Sequence, residues 1–436
     1  MKTNSVTTVD DAAPDKEAQA YSKVVWRIMP LLFLCFLVAY LDRVNVGFAK
    51  LQMSTDLNFS ETVYGLGAGI FFIGYFFFEV PSNLILYRVG ARKWIARIMI
   101  TWGIISALMM FVTTPTSFYV MRFLLGVAEA GFFPGVILYL TYWFPARRRG
   151  RAIAMFITGI PISGIIGSPL SGWILQAFNG VNGWAGWQWL FLLEGAPTVL
   201  VGLLVWRFLD DGIADAKWLD PEEKKILQDN IRADVGEKTS HSFKHLLRDT
   251  KIWILALIYF GVLMGLYGVS FWLPTLIKAT GVERPLDIGL LSAIPYIVAI
   301  IAMNLINRSS DRHAERRWHF AIPAVLGGLG LIFSAVFAQN PVYSIIALSV
   351  GCAGILTICP LFWTLPTAFI GGAAAAGGIA LINSLGNLSG FVSSYLIGFL
   401  KDLTHSTSIG MYMLGGVLFV CAALVIGLIP ARLVNR

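Results

Sequence analysis

The chain has 436 residues, of which 57% are hydrophobic and only 13% charged, and its formal net charge is +8. A soluble domain carries about a quarter charged residues, so this composition excludes a water-soluble globular protein. The positive charge lies in short stretches between long apolar runs, which reads as a topology signal and not as a nucleic-acid surface.

The first twenty residues, with VDDAAPDKE, are polar and unlike a cleavable signal peptide, so 1–25 is expected to be a polar cytoplasmic tail. Six apolar runs of bilayer length follow, at 26–48, 62–86, 93–113, 118–142, 151–177 and 187–208. The long polar stretch 210–251 reads as a cytoplasmic linker, with LDPEEKKILQDNIRAD forming one surface helix. Six more runs lie at 252–278, 287–307, 318–338, 342–368, 374–400 and 408–431, and 432–436 forms a short cytoplasmic tail. The expected fold is an all-α polytopic membrane protein. Its twelve transmembrane helices form two pseudo-symmetric six-helix bundles, 26–209 and 252–431.

Orientation follows from Lys and Arg. Arg88, Arg92, Lys93 and Arg97 lie between spans two and three, Arg147, Arg148, Arg149 and Arg151 between four and five, and Arg308, Arg312, Arg316 and Arg317 between eight and nine. The alternate loops carry only Lys50, Lys278, Arg284 and Lys401. The positive-inside rule places both termini and the linker in the cytoplasm; the membrane expected is the inner, cytoplasmic one. The halves also repeat. YRVGARKW follows span two and DRHAERRW follows span eight; RAIAMFITGIPISG opens span five and GGIALINSLGNLSG opens span eleven. Two related bundles joined by a linker point to alternating access, with a substrate site between them near mid-membrane.

Charged residues inside the spans are the candidates for chemistry, because each costs several kcal/mol in lipid (about 2.5–3.5 for Arg or Asp at a helix centre) unless paired or hydrated. Arg122 and Glu129 are seven residues apart in span four, on one helix face and about 10 Å apart along the axis. Glu129 is a proton-carrier candidate whose protonation Arg122 would tune; the alternative is a permanent brace. Asp42 and Arg43 point about 100° apart, so one can face the cavity and the other a neighbouring helix. An Arg fork suits a carboxylate, with Asp42 as a nearby proton carrier; the alternative is an ion pair with another span. Tyr75 and Glu79 share a face of span two, and Tyr75 is a substrate candidate. Glu79 is open between a structural and a functional role, and Glu194 reads as a local brace beside a bent helix.

Spans seven to eleven carry no acid or base in their cores, so the second half must contribute neutral groups. The candidates are Tyr267, Trp272, Tyr296, Trp363, Asn383 and Asn387. FFIGYFFF reads as lipid-facing or packing residues, and GLGAG and GGAAAAGG as close helix crossings, not phosphate loops. The four cysteines lie in apolar segments without metal-ligand spacing, and the five histidines fall in loops or at span ends. Neither a metal site nor a catalytic constellation is expected, so the chain is not read as an enzyme.

The loop after span two, LDRVNVGFA in span one, FEVPSN in span two, RFLLGVAEA in span four and INSLGNLSG in span eleven together resemble the anion:cation symporter family of the major facilitator superfamily. The resemblance covers nearly the whole chain in order. It implies the major facilitator fold and proton-coupled uptake of organic anions such as sugar acids and tartrate-like or aromatic carboxylates. It also implies that Arg43 holds the substrate carboxylate, that Glu129 takes part in proton coupling, and that Asn383 or Asn387 contacts substrate. Three departures stand out. Tyr87 replaces an acid of the loop signature that Asp311 keeps in the second half, span seven lacks a second Arg, and TGIPISG stands where some relatives have Gln.

The expected function is therefore symport of a small organic carboxylate. Proton coupling falls to Glu129, Asp42 and Arg122, and substrate binding to Arg43, Tyr75, Tyr267, Trp272, Asn383 and Asn387. No cofactor is expected beyond the coupling proton. The partners are the anion, protons and lipid, with no nucleic acid, and the chain is expected to be a monomer. The alternatives are an uncoupled facilitator or exchanger, a membrane anion sensor, and an efflux pump.

Overall fold

The computed structural model describes residues 12–235, 249–369 and 372–435. The described part is almost wholly helical. α1 (Ala12–Asp56) starts earlier than the predicted span, because the polar residues ahead of it find partners on the linker. α2 (Glu61–Val89) begins at Ser60, whose side chain accepts from Val63 N, and α3 (Ala91–Leu108) follows after Gly90. Span four is two helices, α4 (Pro115–Glu129), capped by Thr114, and α5 (Phe132–Thr141). The break falls at Gly131, whose φ of +85° suits glycine and where a Cβ would meet Ser82. Span five is likewise divided, into α6 (Ala146–Ile157) and α7 (Gly159–Ala177), and α8 (Gly186–Phe208) completes the first half.

The linker helix is α9 (Pro221–Val235). Lys16 pairs with Glu222 at 2.9 Å and Lys23 with Glu223 at 2.5 Å, so α9 is held against the start of α1. The rest of the predicted linker, 236–248, lies outside the described residues, as do His241, His245 and residues 1–11. The second half comprises α10 (Thr250–Lys278), α11 (Pro285–His313), α12 (Arg317–Val336), α13 (Pro341–Phe369), α14 (Gly372–Thr404) and α15 (Ser408–Leu428). A single turn, α16 (Ala431–Val434), ends it. Among the described residues, eleven helices are long and apolar enough to cross a membrane. α14 stands where the remaining predicted span lies, giving twelve crossings. Large apolar side chains such as Leu200, Leu257 and Leu305 cover the outer surface, as lipid contact requires.

The two halves meet along three seams: α1 against α10, α2 against α14, and α7 against α11. The last two are equivalent under the repeat, since α2 and α11 are each the second crossing of a half, and α7 and α14 belong to the fifth. Their glycines repeat too. A Cβ on Gly65 would meet the Ser394 carbonyl, and one on Gly398 the Glu61 carbonyl. In the matching seam a Cβ on Gly289 would meet the Ser168 carbonyl, and one on Gly172 the Pro285 carbonyl. Backbone touches backbone at both places, on the side of the bundle away from the linker. That far side is therefore closed.

Candidate functional site

A charged cluster sits midway along the bundle, where α1, α2 and α4 face α10 and α14. Arg43 of α1 is its centre. Its Nε donates to Glu129 Oε1 at 3.1 Å, Nη2 binds the same oxygen, and Nη1 donates to Tyr267 Oη at 3.3 Å. Tyr267 donates in turn to Asn387 Oδ1 at 3.0 Å. The guanidinium lies 5.5 Å from the Phe71 ring centre and 5.6 Å from that of Tyr75. Glu129 is 1% exposed, and its second oxygen, Oε2, has no donor. An ion pair thus joins two helices of the first half, and neutral donors of the second half extend it.

Glu129 ends α4, immediately before the Gly131 break, so its side chain leaves the helix at a point where the backbone turns away. One helical turn nearer the linker, Glu79 bridges the halves directly. It accepts from Asn383 Nδ2 and from Ser384 Oγ, both at 3.0 Å. Asn383 therefore donates to the acid Glu79 while Asn387 accepts from Tyr267, although the two share a helix face.

Arg122 is not Glu129's partner. It donates to the carbonyls of Gly67 at 3.3 Å and Ala68 at 3.1 Å, and Phe71 lies 5.1 Å from its guanidinium. Phe71 thus stands beside both arginines. Asp42 faces away from Arg43, into the first bundle. Its Oδ2 accepts from Trp102 Nε1 at 2.7 Å and Thr198 Oγ1 at 2.9 Å, and its Oδ1 from Ser106 Oγ at 2.8 Å and Asn45 Nδ2 at 3.4 Å. Glu194 accepts from Ser171 Oγ at 2.6 Å in the same bundle. Tyr296 packs over Gly164 at the α7–α11 seam, and Trp363 packs on Tyr259 and Phe362.

Trp272 lies apart from the central cluster, at the closed far side. Lys50 Nζ sits 3.9 Å from its ring centre and 4.7 Å from that of Tyr64. Glu61 takes Lys50 on Oε2 at 2.5 Å and Lys401 on Oε1 at 2.6 Å. Asp402 accepts from the Glu61 and Thr62 amides, capping α2 from the other half. Sequence reasoning missed this second cluster by treating Lys50 and Lys401 as loop charges. Their shared acid, Glu61, was the available signal.

A buried charge cluster at the centre and a part-buried one at the far side, between two repeated six-helix bundles, define a multi-pass membrane transporter. A sequence model of the Major Facilitator Superfamily matches residues 32–394, and the chain belongs to that family. Over the full length of both chains it is 49% identical to a Pseudomonas putida protein named for metabolite transport, NicT. It is 50% identical to an Agrobacterium vitis protein named for tartrate transport, covering 94% of this chain and 91% of that one. Identity is 45%, covering 92% of each, to a quinolone resistance transporter of Acinetobacter baumannii. The fold is also that of the E. coli xylose transporter XylE in a partially occluded, inward-open form. The TM-score is 0.73 at 13% identity, covering 93% of this chain and 98% of that one.

Proposed function

We propose that the protein imports a small organic carboxylate together with protons by alternating access. The observation that carries this reading is the Arg43–Glu129 pair, set where the halves meet and extended by Tyr267 and Asn387. An Arg fork binds a carboxylate through two parallel bonds. A substrate carboxylate that takes the fork displaces Glu129. Two carboxylates beside one guanidinium in a dry site repel, and a proton on Glu129 removes the repulsion. Substrate and proton are then bound together, which is what coupling requires. In this reading Tyr75, beside the Arg43 guanidinium, and Asn387, bonded to Tyr267, contact the rest of the substrate, and the relative named for tartrate transport supports a hydroxy acid. The linker side is the cytoplasm of an inner-membrane protein, by the Lys and Arg distribution, and the working unit is a monomer.

In this cycle Asp42 and Arg122 stand behind the site. Arg122 holds α2 through its carbonyl bonds beside Phe71, and Asp42 exchanges protons inside the first bundle. A second reading, export, is favoured by the relative named for quinolone resistance. The same exchange at Arg43 then runs outward against entering protons. Uptake of labelled organic acids into proteoliposomes tests both, with an inward proton gradient and with it collapsed. Accumulation that needs the gradient supports import. Gradient-driven depletion of preloaded acid supports export. Equal, non-accumulative uptake in both conditions makes the protein a facilitator or exchanger, and no movement of any acid returns it to the sensor reading.

A further inference from the structure

The far-side cluster holds more cations than acids to match them. Glu61 is shared, with Lys50 on Oε2 at 2.5 Å and Lys401 on Oε1 at 2.6 Å. Lys50 is 4% exposed and also donates to Thr275 Oγ1 at 3.3 Å. A third lysine, Lys278, donates to the Leu51 carbonyl at 3.1 Å. Trp272 is wholly buried, with Lys50 over the face of its ring and Lys401 Nζ 6.0 Å from the ring centre. Its indole N–H, at the ring edge, has no acceptor among the described residues. A buried donor left unmade is uncommon and asks for a partner.

These groups divide unequally between the halves. Lys50 and Glu61 stand on α1 and α2 of the first half. Trp272, Lys278 and Lys401 stand on α10 and α14 of the second. When the far side opens, Glu61 leaves with Lys50, its partner in the same half. The second half is left with two lysines and an indole donor. Asp402 does not replace Glu61 there. Its oxygens accept from the Glu61 and Thr62 amides at 3.1 and 2.7 Å, and neighbours on a helix point about 100° apart, so it is turned from Lys401. Removing one partner of an ion pair costs more than exchanging it for another of the same charge. An anion that takes the place of Glu61 therefore favours opening.

We propose that Lys401, with the Trp272 N–H as second donor, is an outer receiving site for a carboxylate, filled by Glu61 while the far side is shut. The Glu61 carboxylate stands where the carboxylate of the arriving anion binds, and Lys278 adds positive charge to the same wall. Lysine suits a receiving site. Its ammonium is a point charge with rotatable donors, without the rigid fork by which Arg43 fixes a carboxylate, so the anion is taken from many directions and passed inward. As the first step of uptake the site rests on the proposed import; as a binding site it needs no proton coupling.

Ser394 lies wholly buried in the α2–α14 closure with its hydroxyl unpaired, so Ser394→Cys reports opening without touching the lysines. The four native cysteines are buried, and the chain without this substitution gives the background rate. Arg43→Gln and Glu129→Gln are combined with it, which removes the central fork without leaving a charge unpaired. In the full chain in lipid, the introduced thiol is reacted with an impermeant reagent as chloride is exchanged for L-tartrate at constant ionic strength and pH. Tartrate should raise the rate severalfold and saturably. Lys401→Gln should react faster in chloride, because the bond to Glu61 is lost, and should not respond to tartrate. Trp272→Phe keeps the ring beside Lys50 and should need severalfold more tartrate for half its effect. A tartrate response that survives Lys401→Gln overturns the proposal, and so does an unchanged tartrate requirement in Trp272→Phe. An equal rate in chloride and tartrate makes the cluster a latch only and also overturns it, as does an equal acceleration by sulfate, which is not a carboxylate. If Lys401→Gln does not fold, Lys401→Arg replaces it: a shifted tartrate requirement supports the site and an unshifted one overturns it. Failure of the wild type to import any acid would refute the proposed function and leave these outcomes unaffected, since the central pair is absent throughout.

Discussion

Replacing Glu129 by Gln keeps the side chain's volume and removes the charge that competes for Arg43. In the structure Arg43 Nε and Nη2 both bind Glu129 Oε1, and Oε2 is left without a donor. An arriving carboxylate must break this pair unless Glu129 is protonated first. A hydrogen bond to a charged group contributes about 1.5–3 kcal/mol net, and since both donors share one oxygen the pair is counted once. Glu129→Gln should therefore tighten carboxylate binding roughly ten- to a hundredfold at neutral pH. The gain should vanish in acid, where wild-type Glu129 is already neutral. Calorimetric titration of the purified protein with the transported acid, across a pH series, reads both effects. In proteoliposomes the same variant should exchange substrate but lose accumulation driven by a proton gradient. Equal affinities at neutral pH would show that Glu129 does not compete with substrate. Retained accumulation would remove it from coupling.

Arg43→Lys, measured in the Glu129→Gln background where no competing pair exists, should weaken binding roughly tenfold, since an ammonium makes one bond where the fork makes two; unchanged affinity would place the carboxylate elsewhere. Gly65→Val should hold the far side open, because its Cβ meets the Ser394 carbonyl. A cysteine put at Thr275, buried in that closure, should then react severalfold faster with an impermeant thiol reagent, and an unchanged rate would contradict the seam. Glu315, in the loop before α12, is pulled upward by burial, yet the Trp318 and His319 amides and the His319 ring outweigh this and hold it below its ordinary 4.5. A folded value below the unfolded one stabilises above the ordinary range, and that stability is lost as pH falls through the folded value. Glu315→Gln should thus melt lower than wild type at neutral pH, and the gap should close in acid; a gap constant with pH would show that ionised Glu315 does not cap α12.

The crossings were legible because bilayer length and uninterrupted apolar composition leave few alternatives, and the Lys and Arg loops punctuate them. The two halves were legible from paired motifs, and the matched seams carry the same repeat. Partners were harder to read. Helical spacing set Arg122 and Glu129 on one face of α4, but the neighbouring helix decides who pairs, and there it is Arg43, 86 residues away in sequence. The angle between Asp42 and Arg43 separated their surroundings without saying which one turned to the cavity. Depth was not legible for neutral residues: Tyr267 reaches the central pair, and Trp272, five residues on, belongs to the far-side lysines. The FFIGYFFF run mixes both environments, with Phe71 and Phe72 buried and Phe77 outside, because a helix turns a uniform run through every direction.

The matched glycines also have a mechanical side. Gly65 and Gly289 each bite one backbone carbonyl, four residues along from another that receives Gly398 or Gly172. Two jaws of equal depth, related by the repeat, disengage in one stroke when one bundle rotates against the other. Neither then acts as a pivot that would wrench the polar centre sideways. Van der Waals contact at such short range fades within a fraction of an ångström, so the jaws grip only when shut and exert no drag once parted. The duplicated half thus supplies more than a second set of helices: it keeps the clamp balanced.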